Sequence, residues 1–172
     1  MINKFVSAKP EELTDNVFKL IGNDWMLITA GNVQSFNTMT ASWGSLGILW
    51  NEPICICFIR PQRYTYEFMN NNSVFTLSFL DDKDKDILNF CGSHSGRDTN
   101  KIEKTSLLPI ETDNGGIAFE QSKIIIEAQK IYFNDINPAN FLDNRIQDCY
   151  PMKDFHRMFI GKITNFYKSK LS

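Results

Sequence analysis

The chain has 172 residues, with 18 lysines and arginines against 20 aspartates and glutamates, for a formal net charge of −2. That length suits one domain able to bury a core without disulfides or metals, and the even charge leaves no broad basic field, so neither nucleic acid nor a membrane surface is an expected partner. No apolar run approaches bilayer length and residues 1–9 lack a charged-then-apolar signal pattern, so a cytoplasmic location is expected.

In chain order, residues 10–21 read as a short amphipathic helix lying as a lid on the core. Pro10 suits its first position, and Leu13, Val17, Phe18, Leu20 and Ile21 recur at helical spacing. Residues 25–30 form an apolar, β-rich run that ends at the turn signal Gly31-Asn32 and resumes over 35–42, which predicts a hairpin. Residues 44–50 mix glycine with large apolar residues, and Asn51-Glu52-Pro53 interrupts before the continuous apolar run 54–59, read as a buried strand. Cys55 and Cys57 share one face of that strand and are expected to act as small buried hydrophobes; with Cys91 and Cys149 they are expected to be free thiols. His94 and His156 are far apart and sit in no ligand-spacing motif, so no metal site is expected.

Beyond Arg60-Pro61-Gln62-Arg63, Thr65 is placed to cap a short helix running through Asn70, and 73–80 reads as a strand. Residues 80–90, with Asp81 and Asp82 in the first turn, read as a helix, and 98–104 as another. After Gly115-Gly116 come strands over 117–119 and 122–133, the second long enough to bend. Residues 134–151 read as an Asn-, Asp- and Pro-rich loop, and 157–166 as the last strand. About six strands with short helices inserted irregularly favour an antiparallel barrel over a doubly wound sheet, and the lack of G-x-G-x-x-G agrees.

Two stretches carry the chemistry. Residues 36–43, Phe-Asn-Thr-Met-Thr-Ala-Ser-Trp, and 91–101, Cys-Gly-Ser-His-Ser-Gly-Arg-Asp-Thr-Asn-Lys, are dense in hydroxyls and small residues. Arg60, Arg63, Arg97 and Lys101 supply charge, Thr40, Ser42, Thr65, Ser93 and Ser95 supply hydroxyls, and Gly92 and Gly96 permit close backbone approach. Met39, Trp43 and Tyr64 offer a flat apolar wall. Together they suit a phosphorylated aromatic cofactor. Taken singly each is weak: an arginine pair at a strand end is more often a solvated surface feature, and a lone tryptophan more often core. No Ser-His-Asp or Cys-His arrangement stands out, so no catalytic side chain is assigned.

Residues 37–43, 60–65, 91–98 and Lys101, in this order and spacing, resemble the flavin reductase-like, FMN-binding split-barrel family, most of all its flavoredoxin type. The resemblance is specific over 25–104 and faint beyond Gly116, although 156–163 is similar to the family's last barrel strand. It implies a mainly β fold with short helices, a six-stranded antiparallel Greek-key split barrel that holds FMN without a covalent bond, as a homodimer with flavins near the interface. It further implies that Asn37, Met39, Thr40, Ala41, Ser42 and Trp43 run along the isoalloxazine and ribityl chain. Arg60, Arg63, Tyr64 and Thr65 would hold phosphate and ribityl oxygens, and Cys91, Gly92, Ser95, Gly96 and Lys101 would complete the pocket. The activity implied is oxidation of NADH or NADPH with electrons passed to free flavin, an iron chelate or another small acceptor. The alternatives are a flavoredoxin-like carrier serving protein partners without useful nicotinamide oxidation, and a barrel that has lost flavin. Residues 134–154 match no family motif, so no nicotinamide pocket is assigned.

Overall fold

Residues 2–170 are described by a computed structural model of the chain. The strands are β1 (Phe5–Ala8), β2 (Met26–Asn32), β3 (Ser35–Ala41), β4 (Gly44–Leu49), β5 (Glu52–Ile59), β6 (Val74–Leu80), β7 (Pro109–Glu111), β8 (Ile117–Phe119), β9 (Ser122–Asp135) and β10 (Arg157–Ser169). Seven of them form an antiparallel sheet in the order β3-β2-β6-β9-β10-β5-β4, β1 adds to β10 as an eighth, and β7 with β8 makes a separate ribbon. No helix among the described residues is long and apolar enough to cross a membrane.

The sheet curls because its apolar residues have one interior to share. Met26, Ile28 and Ala30 of β2 and Cys55, Cys57 and Ile59 of β5 lie in one buried cluster although three strands separate them along the sheet. At the open side, a side chain on Gly44 of β4 would meet the Met26 methyl of β2 at 3.0 Å. The end strands β3 and β4 do not pair with each other, so the barrel is not closed by hydrogen bonds. β2 is covered on its other face too, where Leu27 packs with Leu88 and Phe119, which explains its uninterrupted apolar sequence.

The strand count exceeds the six expected. β4 was hidden because Trp50 and Asn51, at φ 53° and 60°, make its hairpin turn with β5 in the left-handed conformation usually signalled by Asn-Gly. Pro53 is tolerated because it lies just outside the register that β5 shares with β10. The helix expected over 10–21 is instead a 3-10 turn at Pro10–Glu12, then α1 (Val17–Lys19), continuing as a π-helical turn over Leu20–Asp24. The break falls where the Asn16 side chain accepts the Lys19 N–H and starts a new helix. Leu13, Val17, Leu20 and Ile21 still pack on the core, as a lid would, while Phe18 points to solvent.

Helix α2 (Tyr64–Asn71) starts with Arg63 in the capping position, so Thr65 lies inside the helix rather than at its cap. Helix α3 (Lys85–Ser93) follows a 3-10 turn at Asp82–Asp84, and the short α4 (Lys101–Lys104) is capped by Asn100, whose side chain accepts from the Ile102 and Glu103 N–H groups. The loop after β9 contains 3-10 turns at Pro138–Asn140 and Asn144–Cys149. Cys55 and Cys57 are fully buried, and all four cysteines are free thiols.

β10 carries register shifts at Ile160/Gly161 and Ile163/Asn165 where it crosses β9. At Gly161 a Cβ would sit 2.5 Å from Phe75 Cζ and 2.8 Å from Ala128 Cβ, and Phe75 is itself fully buried. Gly161→Ala should therefore lower stability by about 1–3 kcal/mol, seen as a lower urea midpoint. An unchanged midpoint would show that the Phe75 ring can move aside.

Candidate functional site

β3 and α3 form two walls of a cleft, joined where the Thr40 hydroxyl donates to the Leu88 carbonyl. A cavity of about 520 Å³ lies along it. Met39, Thr40 and Ala41 of β3 line it with Ser42 and Trp43 just beyond; Gly92, Ser93, Leu88 and Asn89 of α3 face them, and Arg60 and Arg63 border it from the segment after β5. A smaller cavity of about 190 Å³ adjoins it and shares Met39, Arg63 and Ser93. Asn37, Tyr64, Thr65, Ser95, Gly96 and Lys101 complete the smaller one.

The smaller cavity is the cationic end. The last carbonyls of a helix lack intrahelical partners and carry its negative pole; here the buried Lys101 ammonium donates to Cys91 O at 2.9 Å and to Thr38 O at 2.7 Å. Arg63 donates to Gly92 O at 2.8 Å and Cys91 O at 3.5 Å. Among the described residues neither cation has a carboxylate in ion-pair contact. Burial, reinforced by Arg63, lowers the Lys101 pKa to about 8 against the opposing pull of the Cys91 thiol. Burial and the nearby Arg60 lower that of Arg63. Two desolvated positive groups satisfied only by carbonyls can still gain from an anion.

The backbone comes close here. A Cβ on Gly96 would lie 1.9 Å from Asn37 Oδ1, and one on Gly92 would touch Thr40 Cβ at 3.4 Å. Asn37 in turn donates to the Thr65 hydroxyl at 2.7 Å, so the buried Thr65 ties β3 to α2.

The larger cavity is broad and carries more apolar surface. Trp25, Phe58 and His156 line it, and none of them was anticipated as a site residue. Trp25 precedes β2 at φ 69°, its indole N–H donates to Gly22 O at 3.1 Å, and the Lys85 ammonium sits 3.5 Å from the ring centroid. His156 lies 5.0 Å, ring to ring, from Trp43, and burial together with Arg60 brings its pKa down to about 4. Gln62 and His94, also unanticipated, line the smaller cavity.

Other expected residues sit differently. Arg60 borders the larger cavity but not the smaller one: it pairs with Asp154 at 2.6 Å and donates to Cys149 O at 2.9 Å, facing the 134–154 segment. The Cys91 side chain is buried among Leu27, Leu88 and Phe119, leaving its carbonyl as its link to the site. Arg97 lines neither cavity; it pairs with Glu67 and lies 4.8 Å over the Tyr64 ring. Two adjoining cavities thus offer a positive end and a wider aromatic end, suited to a ligand with an anion on one side and a flat ring on the other.

Gly96→Ala should push Asn37 off Thr65 and fill the smaller cavity. The expected loss is about 1–3 kcal/mol of stability, and inorganic phosphate, expected to raise the native protein's melting temperature, should leave the variant's unchanged. Native stability and phosphate response in this variant would show that the loop yields instead.

Among curated proteins nothing matches the sequence significantly. Among solved structures, an FMN-binding protein from Thermus thermophilus with bound p-hydroxybenzaldehyde shares the fold with TM-score 0.68 at 18% identity, covering 96% of this chain and 82% of that one. A flavoredoxin from Methanosarcina acetivorans does so with TM-score 0.67 at 18% identity, covering 95% and 77%. The NADH:FAD oxidoreductase of Streptomyces globisporus C-1027, solved with NAD and FAD fragments, matches with TM-score 0.64 at 12% identity, covering 84% and 74%. The family model described as flavin reductase like domain matches residues 18–171. An open antiparallel barrel with a cleft between its third strand and a following helix, and a family match over nearly the whole chain, make this protein a member of the flavin reductase like domain family.

Proposed function

We propose that the protein is an FMN-dependent oxidoreductase that binds the cofactor without covalent attachment across the two cavities. The observation that carries this is the adjoining pair itself: a buried Lys101 and a half-buried Arg63, neither with an acidic partner among the described residues, at one end and a broad aromatic-lined space at the other. Arg63 and Lys101 would hold the phosphate, with Thr65 and Ser95 beside it, and the β3 backbone from Met39 with Trp25, Trp43 and Phe58 would hold the ring. Bound there, the flavin would supply the redox chemistry, taking electrons from NADH or NADPH and passing them to free flavin, an iron chelate or another small acceptor. The protein's own part is to orient the ring, exclude water from its apolar wall and provide positive charge, so no acid or base side chain is required.

The names of the relatives support both forms of the reading, since one is an NADH:FAD oxidoreductase and another a flavoredoxin. The same reading takes the protein as cytoplasmic and homodimeric. The exposed Phe18, Trp43, Ile48 and Trp50 supply apolar surface for a second copy.

The deciding experiment is the visible spectrum of the purified, FMN-supplemented protein, with NADH and then NADPH added without oxygen. Flavin bands that bleach with either nucleotide are expected. Bands that persist with nucleotide but bleach with a protein reductant would identify an electron carrier, and absence of flavin uptake would end the reading.

Replacing Arg63 and Lys101 with Ala should each weaken FMN binding by about 1.5–3 kcal/mol, measured by fluorescence titration. The Lys101 ammonium is charged below its pKa of about 8 and loses its proton above it. Wild-type affinity should therefore fall as pH rises through that value, whereas Lys101→Ala should bind weakly and without that step.

A further inference from the structure

The 134–154 segment, which matches no motif, places one side chain against the larger cavity's histidine. Tyr150 and His156 are both buried, and the phenol oxygen lies 2.9 Å from His156 Nδ1. The Tyr150 ring packs against Phe155 at 4.9 Å and Phe141 at 6.1 Å between centroids, with the Arg60 guanidinium 5.1 Å from its centre. Arg60 is fixed in turn by Cys149 O and Asp154, so Tyr150 cannot drift from His156 without breaking that contact.

Protons decide the rest. Burial keeps the Tyr150 phenol protonated beyond its ordinary range, so its proton is there to donate. The acceptor at hand is Nδ1. A neutral imidazole that accepts at Nδ1 carries its proton on Nε2. Its charged neighbours are Arg60 and Asp154; burial and Arg60 outweigh Asp154 and keep the ring neutral well into the acid range. Nε2 has no protein partner among the described residues, and the ring lines the cavity with Trp43 and Phe58 at 5.0 and 6.4 Å.

We propose that Tyr150 is a positioning residue that fixes His156 as the Nε2–H tautomer, giving the larger cavity a neutral, permanent hydrogen-bond donor for a carbonyl oxygen or ring nitrogen of its ligand. The donor carries no charge, so it selects for the ring end of a ligand and does not compete with Arg63 and Lys101 for the anion. The tautomer is independent of the ligand's identity; its use by FMN rests on the function proposed above.

Long-range proton–nitrogen NMR on protein with nitrogen-15 histidine reads the tautomer directly. His94→Gln leaves a single imidazole to observe. Nε2–H with a bare Nδ1, unchanged between about pH 6 and 8, is expected for the native protein. Tyr150→Phe keeps the ring packing and should yield mixed tautomers and a midpoint moved toward the ordinary histidine value. Nδ1–H in the native protein, or an identical spectrum in Tyr150→Phe, would overturn the assignment. With FMN as probe, Tyr150→Phe and His156→Leu should each lose about five- to tenfold in affinity, whereas His156→Gln, whose amide N–H replaces Nε2–H, should stay within about twofold. Equal losses in the Gln and Leu variants would remove the donor role. A native protein that takes up no FMN would count against the preceding function, while the imidazole spectrum would still decide the tautomer.

Discussion

Two positive side chains gathered at the C-terminal end of α3 govern the shape of the cleft. Arg63 and Lys101 come from different elements, one at the start of α2 and the other in α4, yet both reach the carbonyls of Cys91 and its neighbours. Lys101 also holds Thr38 O, so a single buried ammonium joins β3 to the end of the helix opposite. Burying a cation is costly unless its donors are satisfied. Carbonyls provide that satisfaction without cancelling the charge, and the positive end therefore exists before any ligand arrives. A carboxylate in the same place would have given a stable core and an inert cleft.

The two ends of the site come from different parts of the chain. The cationic end is assembled from residues 37–101, whose motifs lie close together in sequence. The aromatic end draws Trp25 from the segment before β2, Phe58 from β5 and His156 from the entrance to β10. Arg60 stands at the junction. Its guanidinium faces the late segment through Asp154 and Cys149 O, which makes it a strut for the aromatic end and leaves the smaller cavity to Arg63 and Lys101.

The sequence is legible where chemistry is local. The hairpin of β2 and β3 announces itself by an apolar run and Gly31-Asn32, and its register pairs residues 26–32 with 41–35. Paired cysteines on alternate positions of β5 read as core because period-two alternation puts both on one face, and both are buried. β4 was not legible because Trp50-Asn51 is not the usual composition for a left-handed turn. The helix over 10–21 misled because apolar spacing persists across Asn16, whose side chain starts a fresh helix. Within the site, hydroxyls and glycines in 36–43 and 91–101 signalled the cleft, but a residue's direction did not follow from its type. Arg97 turns outward onto Glu67, the Cys91 thiol turns into the core, and Trp25 and His156 reach the cavity only through the curl of the sheet, which no spacing records.

β10 pairs with β1, β5 and β9, and all three precede it in the chain. The strand made after them is thus the one that belongs in the middle of the sheet. Until it emerges from the ribosome, β5 and β9 each present an unpaired edge, and the interior between them stands open to water. Contacts so distant in sequence make closure slow and leave the nascent chain exposed to association with its copies meanwhile. At Gly161 of β10, where an added Cβ would sit 2.5 Å from the Phe75 ring, that late insertion has little room to spare.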